Sequence, residues 1–218
     1  MNKKMVTILM VIGLLIGTTA KLVTNHHDNE IEKEILSQTS LFSEYVNNLT
    51  MNGDPLALSP NPYDYIADNE FFNNIVDLGV EAVPEIERIV RNSKQDGLEE
   101  YMLVLAAQEI LKVELHEVLD GKYNFIAPKE WCDKYLSFKE DIKLNVDKLL
   151  ELNKIDELQK LGITAFPYLV DLYESGKMDL KQVLSGMMSE VKLSRDQKVM
   201  TTDYQVIAEE IQNLLELE

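Results

Sequence analysis

Apolar residues along most of the chain recur at spacings of three and four, which predicts amphipathic helices and leaves no alternating stretch typical of strands. The first such pattern begins near Asp28, which is placed to cap its first turn, and predicts one helix or a pair of helices up to about residue 50. The following segment "MNGDPLALSPNP", residues 51–62, contains three prolines and a glycine that interrupt a helix. We interpret residues 24–60 as a helical stalk and linker, and we expect the core to begin after it.

A short motif occurs twice, as "LGVEAVP" at residues 78–84 and as "LGITAFP" at residues 161–167. In each motif the glycine follows the last apolar residue of one helical pattern and the proline opens the next, as expected at helix ends. The flanking helical patterns also correspond, so we predict two repeats, at about residues 70–113 and 155–192. A repeated helix pair cannot bury its apolar face alone, and the two repeats should therefore pack together.

Between the repeats, "GKYNFIAPKEW" at residues 121–131 reads as a loop, and a long amphipathic helix is predicted over about residues 128–153. Its heptad-like spacing would suit a coiled coil, but we favour packing within the same molecule. A last helix is predicted from Tyr204. The sequence thus predicts an all-α helical-repeat domain over residues 61–218, either a short α-solenoid or an irregular helical bundle built on two helix pairs.

The N-terminal residues have the layout of an export segment. Lys3 and Lys4 precede an apolar run from Met5 to Ala20. Residues 1–23 are either a cleaved signal peptide or a retained anchor, because the run is also long enough to span a bilayer. In both cases we expect the rest of the chain outside the cytoplasm, on the cytoplasmic membrane as a single-pass protein if the segment is retained and secreted if it is cleaved. The single cysteine, Cys132, is too far along the chain for a lipoprotein anchor and excludes an intramolecular disulfide.

The chain is strongly acidic. It has 21 basic and 38 acidic side chains, and residues 1–21 hold three of the lysines and no acid, so the formal charge of the rest is −20. A surface of this sign repels nucleic acid and anionic headgroups and favours basic partners. The simpler interpretation, which we favour, is that the acids keep the protein soluble. We therefore expect membrane contact only through the N-terminal segment, no nucleic-acid partner, and a protein or peptide partner that is basic if charge selects it.

The "LG-x-x-A-x-P" pattern followed by paired helices resembles the HEAT-like repeats of α-solenoids, over residues 70–113 and 155–192. The strings "NPYDYIADNEFFNNIVDLGVEAVPEIE", "GLEEYM" and "LGITAFPYL" resemble a group of uncharacterised exported or membrane-anchored Firmicute proteins. The resemblance to HEAT-like modules implies protein or peptide binding on a helical surface. The resemblance gives no site residues that can be transferred to this chain.

Few residues suggest chemistry. His26 and His27 are adjacent to acids, but neighbouring ligands beside a membrane seldom form a closed metal site, and we favour a solvated linker. The string "HEVLD", His116 to Asp120, lacks the second histidine of a zinc-protease motif. For Cys132 we favour a buried, inert thiol over a nucleophile.

Two further groups have a structural and a functional interpretation. The acids Asp64, Asp68 and Glu70 suit weak calcium binding, although a solvated face is the better interpretation. The aromatic residues near the first repeat and the long helix suit recognition, although the core needs them. These aromatic residues are Tyr63, Tyr65, Phe71, Phe72, Trp131 and Tyr135.

These patterns favour a binding or scaffolding module that is not an enzyme, with no catalytic residues, cofactor or metal predicted. The alternative is a cell-envelope hydrolase that uses paired carboxylates, and it requires two buried acids with raised pKa values in one cleft. A third possibility is the accessory domain of a sensor.

Overall fold

The computed structural model describes residues 30–189, 191–194 and 203–217, and within these ranges the fold is all-helical. The predicted all-α class is confirmed. The α-helices are α1 (residues 30–51), α2 (Pro62–Ile66), α3 (Glu70–Val76), α4 (Val83–Asn92), α5 (Leu98–Leu111), α6 (Pro128–Glu140), α7 (Ile142–Glu151), α8 (Phe166–Glu174), α9 (Lys181–Met188) and α10 (Tyr204–Leu214). Short 3₁₀ helices lie at Pro55–Leu58, Val80–Ala82, Val118–Gly121, Ile155–Leu161 and Ile163–Ala165.

The first repeat consists of α3, a glycine turn, α4 and α5. Asn69 caps α3, because its side chain accepts a hydrogen bond from the Phe72 amide at 3.1 Å. Helices α3 and α4 both pack on α5. Every residue of α5 from Met102 to Gln108 is buried, so this helix is surrounded on all sides. It is the central helix of the domain.

The second repeat follows the same order with a shorter first element. The 3₁₀ helix Ile155–Leu161 stands where the first repeat has α3, and α8 and α9 correspond to α4 and α5. Helix α9 packs on this 3₁₀ helix and on α8. The second helix pair therefore has the same order of elements as the first, with a shorter first element.

The two glycine turns dock on each other's repeats. Gly79 has φ 83° and ψ −166°, and Gly162 has φ 64° and ψ −167°, a region open to glycine alone. Gly79 lies against the segment that follows α9, where the amides of Val80 and Glu81 donate to the carbonyl oxygens of Lys192 and Leu193 at 2.9 and 3.0 Å. Gly162 lies in turn against Leu111 at the end of α5. Each repeat thus closes on the end of the other.

Helix α1 belongs to the core, which corrects the expectation that core packing begins only after a stalk. Ile31, Ile35 and Phe42 are buried within the main apolar cluster. Polar contacts also tie α1 to the first repeat, since Glu32 pairs with Arg88 at 2.8 Å and Gln38 accepts from Asn74 at 3.2 Å. The same spacing of apolar residues serves a free helix and a packed one, so the sequence pattern alone does not separate the two.

The predicted long helix over residues 128–153 is two helices, α6 and α7, with a break at Asp141. The Asp141 carboxylate accepts from Lys122 at 2.8 Å and from the Tyr123 hydroxyl at 3.0 Å, which holds the break against the preceding loop. Helix α6 packs on the first repeat and α7 on the 3₁₀ helices of the second. The break therefore lets one stretch of chain cover both repeats.

The last predicted helix is confirmed as α10, which packs on α8 and buries Ile207, Ala208 and Ile211. The predicted export segment, residues 1–23, and the pair His26 and His27 lie outside the described residues. Among the helices that are described, none combines the length and the apolar character required to cross a bilayer.

Candidate functional site

A groove of about 420 Å³ opens between α2, α3 and the C-terminal end of α5. We call it the α2–α5 groove. Its lining combines apolar side chains with acids and two lysines. The lining residues are Tyr63, Ile66, Phe72, Leu105, Gln108, Glu109, Lys112, Val113, Glu114, Glu117, Val118 and Lys160.

Helix α2 places Tyr63 at the groove. The Asn61 side chain caps the helix by accepting from the Tyr63 amide at 3.2 Å. Tyr65, two residues on, turns into the core, where its hydroxyl donates to the Ser59 carbonyl at 3.2 Å. Tyr63 is left 46% exposed, so its ring is available to a ligand.

The opposite edge is a turn at residues 113–118, which we call the rim turn. Helix α5 ends at Leu111, and the left-handed backbone of the next residue, Lys112 (φ 53°), redirects the chain into this turn. Buried and exposed residues then alternate: Val113, Leu115 and Val118 are buried, whereas Glu114, His116 and Glu117 are exposed. The buried side chain of Gln108 accepts from the Leu115 amide at 3.1 Å, so the turn is pinned to α5. The three polar side chains are therefore held together on the solvent side.

The rim turn concentrates negative charge. One ligand atom from each of Glu114, His116 and Glu117 lies within 4.8 Å of the others, and His116 Nε2 is 3.4 Å from Glu114 Oε2. Burial, followed by the charges of Glu114 and Glu117, raises the pKa of the Tyr63 phenol. The field of both acids thus reaches across the groove to the ring.

The two lysines at the groove each form an ion pair with an acid outside the rim turn. Lys112 pairs with Glu109 at 2.5 Å, and Lys160 pairs with Glu157 at 3.4 Å. The lining thus holds three acids, Glu109, Glu114 and Glu117, against two lysines, and Glu114 has the His116 imidazole at 3.4 Å.

The string "HEVLD" does not form a helix face. Residues Val118–Gly121 form a 3₁₀ turn in which Leu119 and Asp120 have left-handed backbones (φ 50° and 59°), so His116 and Asp120 do not share a helix face. His116 instead neighbours Glu114 and Glu117. An imidazole and two carboxylates are metal-ligand types, but all three groups are exposed, as acids without a metal commonly are.

Cys132 is buried, as predicted, with its Sγ 3.8 Å from the Glu87 carbonyl oxygen. Burial raises the pKa of this thiol to about 12, with Glu87 adding to the effect. The thiolate is the reactive form, so Cys132 is inert near neutral pH.

The aromatic candidates divide between core and surface. Tyr65, Phe72, Trp131 and Tyr135 are buried, and the last two stack with their ring centroids 5.1 Å apart. Phe71 is partly buried against the core, and Tyr63 alone of the six is largely exposed. The core interpretation is therefore confirmed for most of the group.

The acids proposed for calcium do not converge in the described part of the chain. Asp64 accepts from the Asn61 side chain at 3.0 Å and from the Ser59 hydroxyl, which makes it a local turn contact. Asp68 takes a left-handed backbone at the end of its turn (φ 54°). The solvated-face interpretation fits these positions better.

Among the described residues the buried acid is Glu100. Its carboxylate accepts from the Ser93 hydroxyl at 2.6 Å and from the Gly97 amide at 2.8 Å, so it caps the start of α5. Burial acts to raise the pKa of Glu100, but these hydrogen bonds outweigh it and the pKa is lowered. A carboxyl that stays ionised in a capping contact offers no support for the paired-carboxylate hydrolase.

Comparison of the chain with protein-family models, curated proteins and solved structures gives no match. The resemblance to HEAT-like repeats and to exported Firmicute proteins therefore stays a prediction from the sequence.

Sequence reasoning missed the groove and its rim turn. The string "VELHEV", residues 113–118, carries the signal, because its apolar and polar residues alternate immediately after a helix. This alternation indicates one anchored side and one exposed side of a turn.

Proposed function

We propose that this protein is an extracytoplasmic helical module, tethered to or exported across the cytoplasmic membrane through its N-terminal segment, that binds a protein or peptide without catalysis. The observation that carries the proposal is the α2–α5 groove, with its exposed tyrosine, apolar lining and acidic rim. Its volume of about 420 Å³ is in the range of sites that enclose small ligands or a few side chains.

The reciprocal docking of the glycine turns supports an irregular helical bundle over an open α-solenoid. In an open stack, the outer surface of the last repeat has no partner, whereas here each repeat's turn contacts the end of the other. An open α-solenoid would bind its partner along a concave surface, whereas for this bundle we propose binding in a local groove. The groove lies where α2 and the rim turn meet the central helix.

Crosslinking in intact producing cells, followed by mass spectrometry of the recovered complexes, tests the proposal. We expect one protein partner to be recovered repeatedly with the full-length chain, at the outer face of the membrane. Failure to recover any recurring partner, together with turnover of a small substrate by the purified protein, would contradict it.

A further inference from the structure

We propose that the α2–α5 groove binds a peptide segment in which a lysine or arginine side chain is next to a large apolar side chain. This inference rests on the binding function proposed above and specifies the chemistry of its ligand.

The acidic rim provides the site for the cation. The ligand atoms of Glu114 and Glu117 lie within 4.8 Å of each other, and like charges at this distance repel. The lysines that line the groove form their ion pairs with Glu109 and Glu157, and the group beside Glu114 is the His116 imidazole, at 3.4 Å. A basic side chain from outside would sit between the two carboxylates and remove their repulsion.

Tyr63 adds a second contact for the same group. Its ring is 46% exposed at the groove and lies within the field of both rim acids. An ammonium or guanidinium group is attracted to the face of an aromatic ring. The ring and the two carboxylates line the same groove, and in our proposal they share one cation.

The apolar lining provides the site for the neighbouring side chain. Ile66, which is partly buried, lines the groove together with the outer edges of Phe72 and Leu105, which belong to the main core and are 8% and 7% exposed. An apolar side chain that covers them is removed from water. A simple polyamine or an inorganic cation offers no group for this surface, and this favours a peptide.

The test is selection of a random peptide display library on the full-length protein, purified in detergent. We expect selected peptides to share a lysine or arginine beside an aromatic or large aliphatic residue. The double variant E114Q/E117Q, which removes the charge and keeps the shape, should lose this selection. The control is E151Q/E174Q, which removes two exposed acids that do not line the groove and should select the same peptides.

The affinity of the best peptide is then measured by fluorescence anisotropy. We expect about a fivefold loss for each of E114Q and E117Q, and a loss that grows smaller at high salt. Y63A should weaken binding about threefold, whereas Y63F, which keeps the ring, should not.

The other outcomes overturn the inference. Selected peptides without a basic residue, or a selection unchanged in E114Q/E117Q, would show that the rim does not recognise a cation. If no peptide is selected while crosslinking in cells still recovers a partner, the groove is not the peptide site, and the proposed binding function stands without it. Zinc binding in calorimetry with zinc chloride that is lost in H116A, together with no peptide selection, would assign the rim to a metal instead.

Discussion

The substitution G79A should destabilise the protein far more than an alanine at an unconstrained glycine. Gly79 has a backbone conformation that only glycine adopts readily, and forcing it on alanine costs about 1–3 kcal/mol. The added Cβ would also lie 2.5 Å from the Lys192 carbonyl oxygen, which is backbone and cannot rotate away. Separation of the two segments would weaken the hydrogen bonds from Val80 and Glu81, each worth about 1 kcal/mol.

We therefore expect G79A to lose about 3–5 kcal/mol of unfolding free energy, a large part of the 5–15 kcal/mol typical of a domain. The matched control is G176A, because Gly176 also has a positive φ (68°) but has no atom within 4 Å of an added Cβ. It should lose only about 1 kcal/mol.

Urea unfolding of the full-length protein in mild detergent measures both changes. The chain has a single tryptophan, Trp131, and it is fully buried, so its emission reports loss of the core. If G79A and G176A lose the same stability, the close contact between the Gly79 turn and the segment after α9 does not contribute, and the reciprocal docking is wrong.

Three further predictions concern buried groups. W131A should lose about 4 kcal/mol of unfolding free energy in thermal unfolding followed by circular dichroism, and W131F only about 1 kcal/mol. The buried indole Nε1 has no hydrogen-bond partner among the described residues, so its replacement by phenylalanine breaks no hydrogen bond; equal losses would contradict this. The pKa of Cys132 is raised to about 12 by burial, so above pH 9 the thiol ionises in the unfolded chain before it ionises in the folded protein. The unfolding free energy should then fall by about 1.4 kcal/mol per pH unit. C132A should reduce this slope in urea titrations at pH 9–11. E100A should lose about 1–2 kcal/mol at pH 7 relative to E174A in urea unfolding. The pKa of Glu100 is lowered by its hydrogen bonds, so its contribution is present above the unfolded pKa and should shrink as the pH falls below it; a difference between E100A and E174A that does not shrink on acidification would refute this.

The helix ends around the repeated motif could be predicted from the sequence because their causes are local. Gly79 and Gly162 end helical segments at positions of positive φ, as the motif predicts, and Asn61 and Asn69 are of a residue type that favours the cap positions they occupy. Such signals depend on a few neighbouring residues, so one sequence is enough to read them.

The errors concern contacts between distant parts of the chain. The inclusion of α1 in the core depends on its meeting α3 and α4, and the break at Asp141 depends on Lys122 and Tyr123. Apolar spacing records that a helix has a buried face, and it does not record which element covers that face.

The candidate site was missed for the same reason. Tyr63 and Glu117 are 54 positions apart in the sequence, and only the packing of α2 against α5 brings them to one groove. In the sequence Tyr63 belongs to one aromatic cluster with Tyr65 and Phe72, and only in the structure does its exposure distinguish it from these two buried residues.

The contacts of the Gly79 turn with the segment after α9, and of the Gly162 turn with the end of α5, limit how this pair of repeats could be extended. A repeat array grows only if the end of its last unit is free to pack against another unit. Here the glycine turn of each repeat already covers the end of the other repeat. A third unit inserted between the two repeats would have to break one of these two contacts. Diversity among proteins built on this plan should therefore arise in connecting segments such as the rim turn, and the number of units should stay at two.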